Sequence, residues 1–334
     1  MERRGSMERN LLVGNGINIQ FGGVSVYSGY ATMNRVVENI KAGKYTVLTE
    51  NALDIDEQLE VLSGMVNVID EIKAGKHRDK ADGLFMLMEL DRITRTYPNK
   101  SSITSVFLED YFLAFEIFNN GFKNVDGEEQ NERYREIMFS FLRQMIVDGI
   151  YNEGAINDVY KNFDAGMKKY LNKFSNIFTT NYDYNLENIL GDPDKVCHLH
   201  GEFGKLAPEY NVDSLYYAEN KAECDAKISK KVSGMNHIYS DAVMSWSWLD
   251  KYGELIENDT KQKEELFKSI SGQLEIVGLA PANDEHLFVL INNNPKITSV
   301  VYYYLKDEDR DELPHHLKKP VTYRKVEKLW DSMK

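Results

Sequence analysis

Cysteine is nearly absent: two in 334 residues, Cys197 and Cys224, with no Cys-x-x-Cys pair. That excludes a disulfide framework and a four-cysteine zinc site, and leaves both thiols to be read as small buried hydrophobes. Long apolar runs are missing too. None approaches the roughly 18 residues that a membrane helix needs, and the N-terminus has no apolar signal core, so a cytoplasmic protein with no membrane partner is expected. Basic residues are outnumbered, 40 Lys and Arg against 53 Asp and Glu, for a formal net charge of -13. A chain of that sign disfavours direct nucleic-acid binding as its main function. The opening MERRGSMERN carries a second methionine at Met7, and the fold is read from there.

What is present is a spaced set of short apolar strands: Asn10 to Val13, Phe174 to Thr179, Val196 to Leu199, Leu274 to Val277 and Ile297 to Tyr304. Each ends in a turn-prone or polar residue, the habit of buried parallel strands. Between them the apolar residues recur at three and four. Leu59, Leu62, Val66, Ile69 and Ile72 predict a helix over Glu57 to Ile72, and the stripes Val106 to Phe118, Ile137 to Ile146 and Ile156 to Tyr170 predict further core-facing helices. The segment from about 25 to 173 is too long for one crossover helix. The expected fold is therefore α/β: a Rossmann-like parallel sheet with helices on both faces, plus a mostly helical subdomain inserted after the first strand. A second helical segment is expected at about 205–272, all within a single domain, 7–334. The charge run KDEDRDE after Leu305 reads as a solvated loop.

Four strand ends carry residues with chemistry. The first, LLVGNGINIQFGG, has Gly14 and Gly16 of a dinucleotide fingerprint but Ile19 in the third glycine's place. It is a phosphate loop with a helix N-terminus behind it, or a bare turn. The second, NIFTTNYDYNLE, puts Thr180, Asn181 and Asp183 where open α/β sheets hold their ligands; Asp183 fits an Asx turn equally well. The third, VCHLHGEFG, ends in His200, whose imidazole titrates near neutrality and suits a general base. His198 takes the structural role there, with a His198/His200 metal pair as the alternative. The fourth, LEIVGLAPANDEHLFVLI, offers Gly278 and a helix opening near Asp284.

The order of these ends resembles the sirtuin superfamily, whose NAD-binding domain carries a Gly-Ala-Gly opener, a Thr-Gln-Asn-Ile-Asp loop, a catalytic His-Gly and a Gly-Thr-Ser strand end. GNG, TTNYD, HG and GLA stand in those places, and GNGINIQFGG, VYSGY and the closing VTYRKVEKLWDSM resemble bacterial sirtuin-like defence proteins, the AbiH abortive-infection group among them, more than histone deacylases. The resemblance implies that Gly14, Asn15 and Gly16 cradle a pyrophosphate, with Asn18, Thr180, Asp183, Gly278 and Asp284 as further contacts to NAD+. It implies Asn181 and His200 as the catalytic pair, and no metal. The zinc ribbon of the deacylating members needs four cysteines, so water is the expected acceptor. The implied activity is NAD+ glycohydrolysis, with an anti-phage role in depleting NAD+. The alternatives are an NAD or ADP-ribose sensor within a defence complex, or an ADP-ribosyltransferase or deacylase. Because such an enzyme endangers its own cell, control is expected from homo-oligomerisation, an ATPase or Argonaute-type partner, or a phage trigger.

Overall fold

The computed structural model describes residues 8–45, 53–80, 84–97, 99–108, 110–111, 113–115, 117, 138, 141–142, 145, 148–199, 215–217, 230–232, 265–281 and 284–334. His200, Cys224, the stripe residues Phe112, Phe118, Ile137 and Ile146, and most of the segment 205–272 lie outside them. Among the described residues no helix is long and apolar enough to cross a membrane.

The strands are β1 (Arg9–Val13), β2 (Asn176–Thr179), β3 (Val196–His198), β4 (Leu215–Tyr217), β5 (Lys230–Val232), β6 (Gly272–Val277), β7 (Ile297–Tyr304) and β8 (Val321–Lys325). Six of them form one all-parallel sheet in the order β3-β2-β1-β6-β7-β8, and β4 and β5 pair antiparallel in a separate ladder. Setting the small ladder aside, the order runs outward from β1 to β3 on one side and from β6 to β8 on the other. That is the doubly wound Rossmann arrangement, with its switch point between β1 and β6, and open sheets of this kind hold their ligands at the carboxyl ends of the strands there.

Both sheet faces are covered, as the near-continuous apolar strands require. On one face Leu11, Val13, Ile177, Val277, Val301 and Tyr303 pack with α6 (Met167–Leu171), α7 (Asn185–Leu190) and α10 (Val326–Asp331); on the other, Leu12, Phe178, Leu274, Ile276, Val300 and Tyr302 pack with α8 (Glu285–Asn293) and α9 (Asp307–His316). Register explains the alternation, since Leu11 and Leu12 lie beside Ile177 and Phe178 and send successive side chains to opposite faces. Burying each such side chain contributes about 1.5–3 kcal/mol. Cys197 is half-buried against the second of these clusters.

Of the buried polar residues in the strands, Asn10 and Glu275 lie away from the carboxyl ends and are satisfied by neighbours. Asn10 donates to the carbonyls of Ser271 (2.7 Å) and Gln273 (3.3 Å) and accepts from Asn176 (2.7 Å), which ties together the starts of three adjacent strands. Glu275 pairs with Arg9 and accepts from the hydroxyls of Tyr170 and Tyr303, each at 3.2 Å. Burial, reinforced by the Glu275 charge, pushes both phenols up.

The chain divides into two compact units, one of Met1–Gly23, Gly154–Glu202 and Gly253–Lys334, which carries the large sheet, and one of Val24–Glu153 and Phe203–Tyr252. The described part of the second contains α2 (Val24–Tyr27), α3 (Gly29–Lys41), α4 (Ile55–Lys73) and α5 (Leu84–Thr96). Helix α4 is opened by a capping box in which Asp54 and Glu57 satisfy each other's backbone N–H. Its stripe Leu62, Val66, Ile69 and Ile72 is buried, as are Val106, Leu108, Tyr111, Phe115, Phe141, Leu142 and Met145 from the stripes that follow.

Four expectations change. The stripe Ile156 to Tyr170 is two elements, a 3-10 helix (Asn152–Asn162) and α6, and the break falls where Gly166 meets the C-terminal segment. The Gly166 N–H donates to the Met333 carbonyl at 2.8 Å, and a Cβ at Gly166 would stand 2.6 Å from that oxygen. KDEDRDE is not a loop: Asp307, Glu308 and Asp309 form the first turn of α9, where carboxylates favour the positive end of the helix dipole. Strand β8 was not expected because it is an edge strand exposed on both faces, so no apolar alternation announces it. The segment 205–272 includes the strands β4 and β5 and the first residue of β6, so it is not helical throughout.

Candidate functional site

The carboxyl ends of β1, β2, β3 and β6 meet at the switch point, and backbone hydrogen bonds fasten them together. After Val13 the chain turns through Gly14 and Asn15 into α1 (Gly16–Gly22). The Gly14 N–H donates to the Val277 carbonyl and the Gly16 N–H to the Gly278 carbonyl, both at 2.9 Å. These glycines are compelled by crowding. A Cβ on Gly14 would stand 2.5 Å from the Gly278 oxygen, and one on Gly16 would stand 2.5 Å from the Gly278 Cα. Gly278 itself turns with φ of +71°, in the left-handed region that glycine tolerates. Leu279 then enters the core and its carbonyl accepts from Tyr302 Oη at 2.9 Å. The Gly-x-Gly thus serves the β1–β6 junction directly, and since both amides are already donated, these two residues offer a ligand close approach rather than N–H groups. Asn15 is exposed at the tip of this turn.

The β2 end is built on Thr179. Its hydroxyl donates to the Val13 carbonyl and accepts from the Asn181 N–H, both at 3.0 Å, while the Thr180 N–H donates to the same Val13 carbonyl at 3.0 Å. Asn181 is therefore held by its N–H on one side. Its carbonyl is held on the other, by Nδ1 of His198 at 2.7 Å. The Asn181 side-chain Nδ2 stands 3.5 Å from the Gly14 carbonyl, so the amide spans from the β2 end toward the β1 turn.

Beside Asn181 lies a buried amide and carboxyl cluster. Asp183 accepts from Asn18 Nδ2 (2.6 Å), from the Asn185 backbone N–H (3.0 Å) and from Asn185 Nδ2 (2.6 Å). The bond to the Asn185 N–H is the Asx turn, and it opens α7. Asn185 reaches further, to the carbonyl of Ile156 and to Asn18 Oδ1, and its own Oδ1 accepts from the Tyr160 N–H. Burial pushes the Asp183 carboxyl above the ordinary carboxylate range, against the pull of the Asn185 and Asn18 donors.

Gly14, Asn15, Gly16, Asn18, Thr180, Asn181, Asp183 and Gly278 are thus brought to one end of the sheet. Asp284 stands at the N-cap of α8, its carbonyl accepting from the Leu287 N–H at 3.0 Å, the position of a helix opener. His200 lies outside the described residues. His198 does more than fill the core. Its Nε2 faces Glu187 Oε1 at 2.5 Å and its Nδ1 faces Asn181, so both ring nitrogens are engaged with protein and a His198/His200 metal pair is disfavoured. Glu187 and Asn185 were not singled out from the sequence. The signal for Asn185 was its place two residues after Asp183, where an Asx turn takes up its backbone N–H.

No protein-family model, curated protein or solved structure matches the chain.

Proposed function

We propose that this protein is an NAD+ glycohydrolase that cleaves the nicotinamide–ribose bond with water, giving nicotinamide, ADP-ribose and a proton. The observation that carries the reading is the double clamp on Asn181, whose backbone N–H is fixed by the Thr179 hydroxyl at the end of β2 and whose C=O is fixed by His198 at the end of β3. Breaking this glycosidic bond builds positive charge on the ribose, so the protein must orient the sugar, exclude bulk water and accept a proton. A rigid Asn181 amide suits the first task, orienting a ribose hydroxyl or the attacking water. His200 is the base that takes the proton, and Asp183 keeps the loop in place. Gly14, Gly16 and Gly278, without side chains, let a dinucleotide lie close to the strand ends; Asn15, Asn18 and Thr180 line the same end, and Asp284 is the outermost contact.

The same reading gives the protein a cytoplasmic role in anti-phage defence, with NAD+ depletion as its output. Its activity is then held in check by self-association, by an ATPase or Argonaute-type subunit, or by a phage component. Products resolved chromatographically after incubation with NAD+ test the activity. The expected result is nicotinamide and free ADP-ribose in equal amounts. ADP-ribose recovered on protein would make the enzyme a transferase, and absence of turnover with partners present would make the site a sensor.

A further inference from the structure

His198 stands against the Asn181 carbonyl, and Glu187 stands against the far side of the His198 ring. The His198 side chain is 2% exposed and that of Glu187 8%. Strand register fixes the ring, because His198 of β3 lies beside Thr179 of β2, and the Leu199 N–H donates to the Thr179 carbonyl at 2.8 Å.

A proton count follows from the contacts. The Asn181 carbonyl can only accept, so Nδ1 of His198 carries a proton. The other nitrogen faces a carboxyl oxygen, which leaves two arrangements: an imidazolium against a carboxylate, or a carboxylic acid donating to a neutral Nε2. Both place one proton between Glu187 and His198 beyond the one on Nδ1. The second carboxyl oxygen, Oε2 of Glu187, is buried without a hydrogen-bond partner, so a bare carboxylate there carries a desolvation cost that the shared proton offsets. Without Glu187 the imidazole is free to carry its single proton on either nitrogen, and the form with Nδ1 bare repels the Asn181 carbonyl.

We propose that Glu187 and His198 form a buried positioning pair: Glu187 keeps the proton on Nδ1, His198 thereby grips the Asn181 carbonyl, and the Asn181 amide is held in its working place. The role in turnover rests on the glycohydrolase reading. The pairing itself does not.

Two arms separate them. In the first, Glu187→Ala lowers kcat for NAD+ hydrolysis about 100-fold, the cost of a catalytic group misplaced by about 1 Å, with a much smaller change in KM. Glu187→Gln retains more kcat than Glu187→Ala, because its amide donates to Nε2 and so keeps Nδ1 protonated. His198→Asn and His198→Gln are then compared in the Glu187→Gln background, where no buried charge is stranded. Asparagine places its amide nitrogen near Nδ1 and glutamine places its nitrogen near Nε2. The pair predicts faster turnover with asparagine, whereas a space-filling role favours glutamine, the closer in volume. Equal or better turnover with glutamine, or parental kcat in Glu187→Ala, overturns the positioning role.

In the second arm the 15N spectrum of the His198 ring, assigned by its loss in His198→Gln, is read with no substrate present. A protonated Nδ1 in the parent and a tautomer mixture in Glu187→Ala support the pairing. A parent ring protonated on Nε2 alone overturns it, whether or not NAD+ is cleaved. A parent with the expected ring but no NAD+ turnover refutes the glycohydrolase reading and leaves the pairing standing.

Discussion

Gly16→Ala lowers the stability of the ligand-free protein by about 3 kcal/mol, at the upper end of the cost of overpacking. The sign decides between two origins of the Gly-x-Gly. Gly16 is the first residue of α1, and alanine is the better helix former by up to about 1 kcal/mol. If the glycine existed only to admit a phosphate, the substitution would leave the free protein unchanged or slightly more stable. The contact at 2.5 Å is instead with the Gly278 backbone, which cannot rotate away as a side chain can. Gly14→Ala strikes the same residue, so the double variant loses less than the sum of the two. Thermal or denaturant unfolding without ligand reads all three.

Asp183→Ala is the second large loss, about 4 kcal/mol. It strands the Asn185 backbone N–H and removes one bond each from the Asn18 and Asn185 side-chain amides, which keep Asn15 Oδ1 and the Ile156 carbonyl as acceptors; an orphaned buried donor costs about 1–3 kcal/mol and each lost bond about 1 kcal/mol. The loss depends on pH. Burial raises the Asp183 carboxyl in the folded protein above its value in the unfolded chain, so the folded state binds its proton more readily. The raised carboxyl's contribution is therefore fully present below the ordinary carboxylate range and declines as pH rises through the raised value. The gap in unfolding free energy between parent and Asp183→Ala narrows accordingly with increasing pH. A gap that widens would mean the donors outweigh burial and hold the carboxyl down.

The sheet was legible because its strands are buried on both faces. Leu11, Leu12, Phe178, Ile276 and Val300 write short apolar runs, and each run ends in the residue that turns the chain. Where burial fails, legibility fails with it. Val321 to Lys325 is an exposed edge and reads like any polar segment. Local spacing also misled where a long-range contact prevailed: the stripe Ile156 to Tyr170 keeps helical periodicity across a break set by Gly166 against Met333.

The site was legible as positions more than as roles. Gly14, Gly16, Asn181 and Gly278 were visible as strand ends, but that the glycines need one another required the β1–β6 neighbour relation, which lies between residues 264 apart. Glu187 was invisible as a partner of His198 for the same reason, since nothing in NYDYNLE shows which residue of β3 it meets.

The central claim is that Asn181 acts on NAD+ at the carboxyl ends of β1 and β2. Nicotinamide release from NAD+, followed in the parent and in Asn181→Ala of equal thermal stability, tests it most directly. The account predicts release by the parent and a loss of about 100-fold or more in the variant, as expected for a displaced orienting group. Release by Asn181→Ala at the parental rate would contradict it.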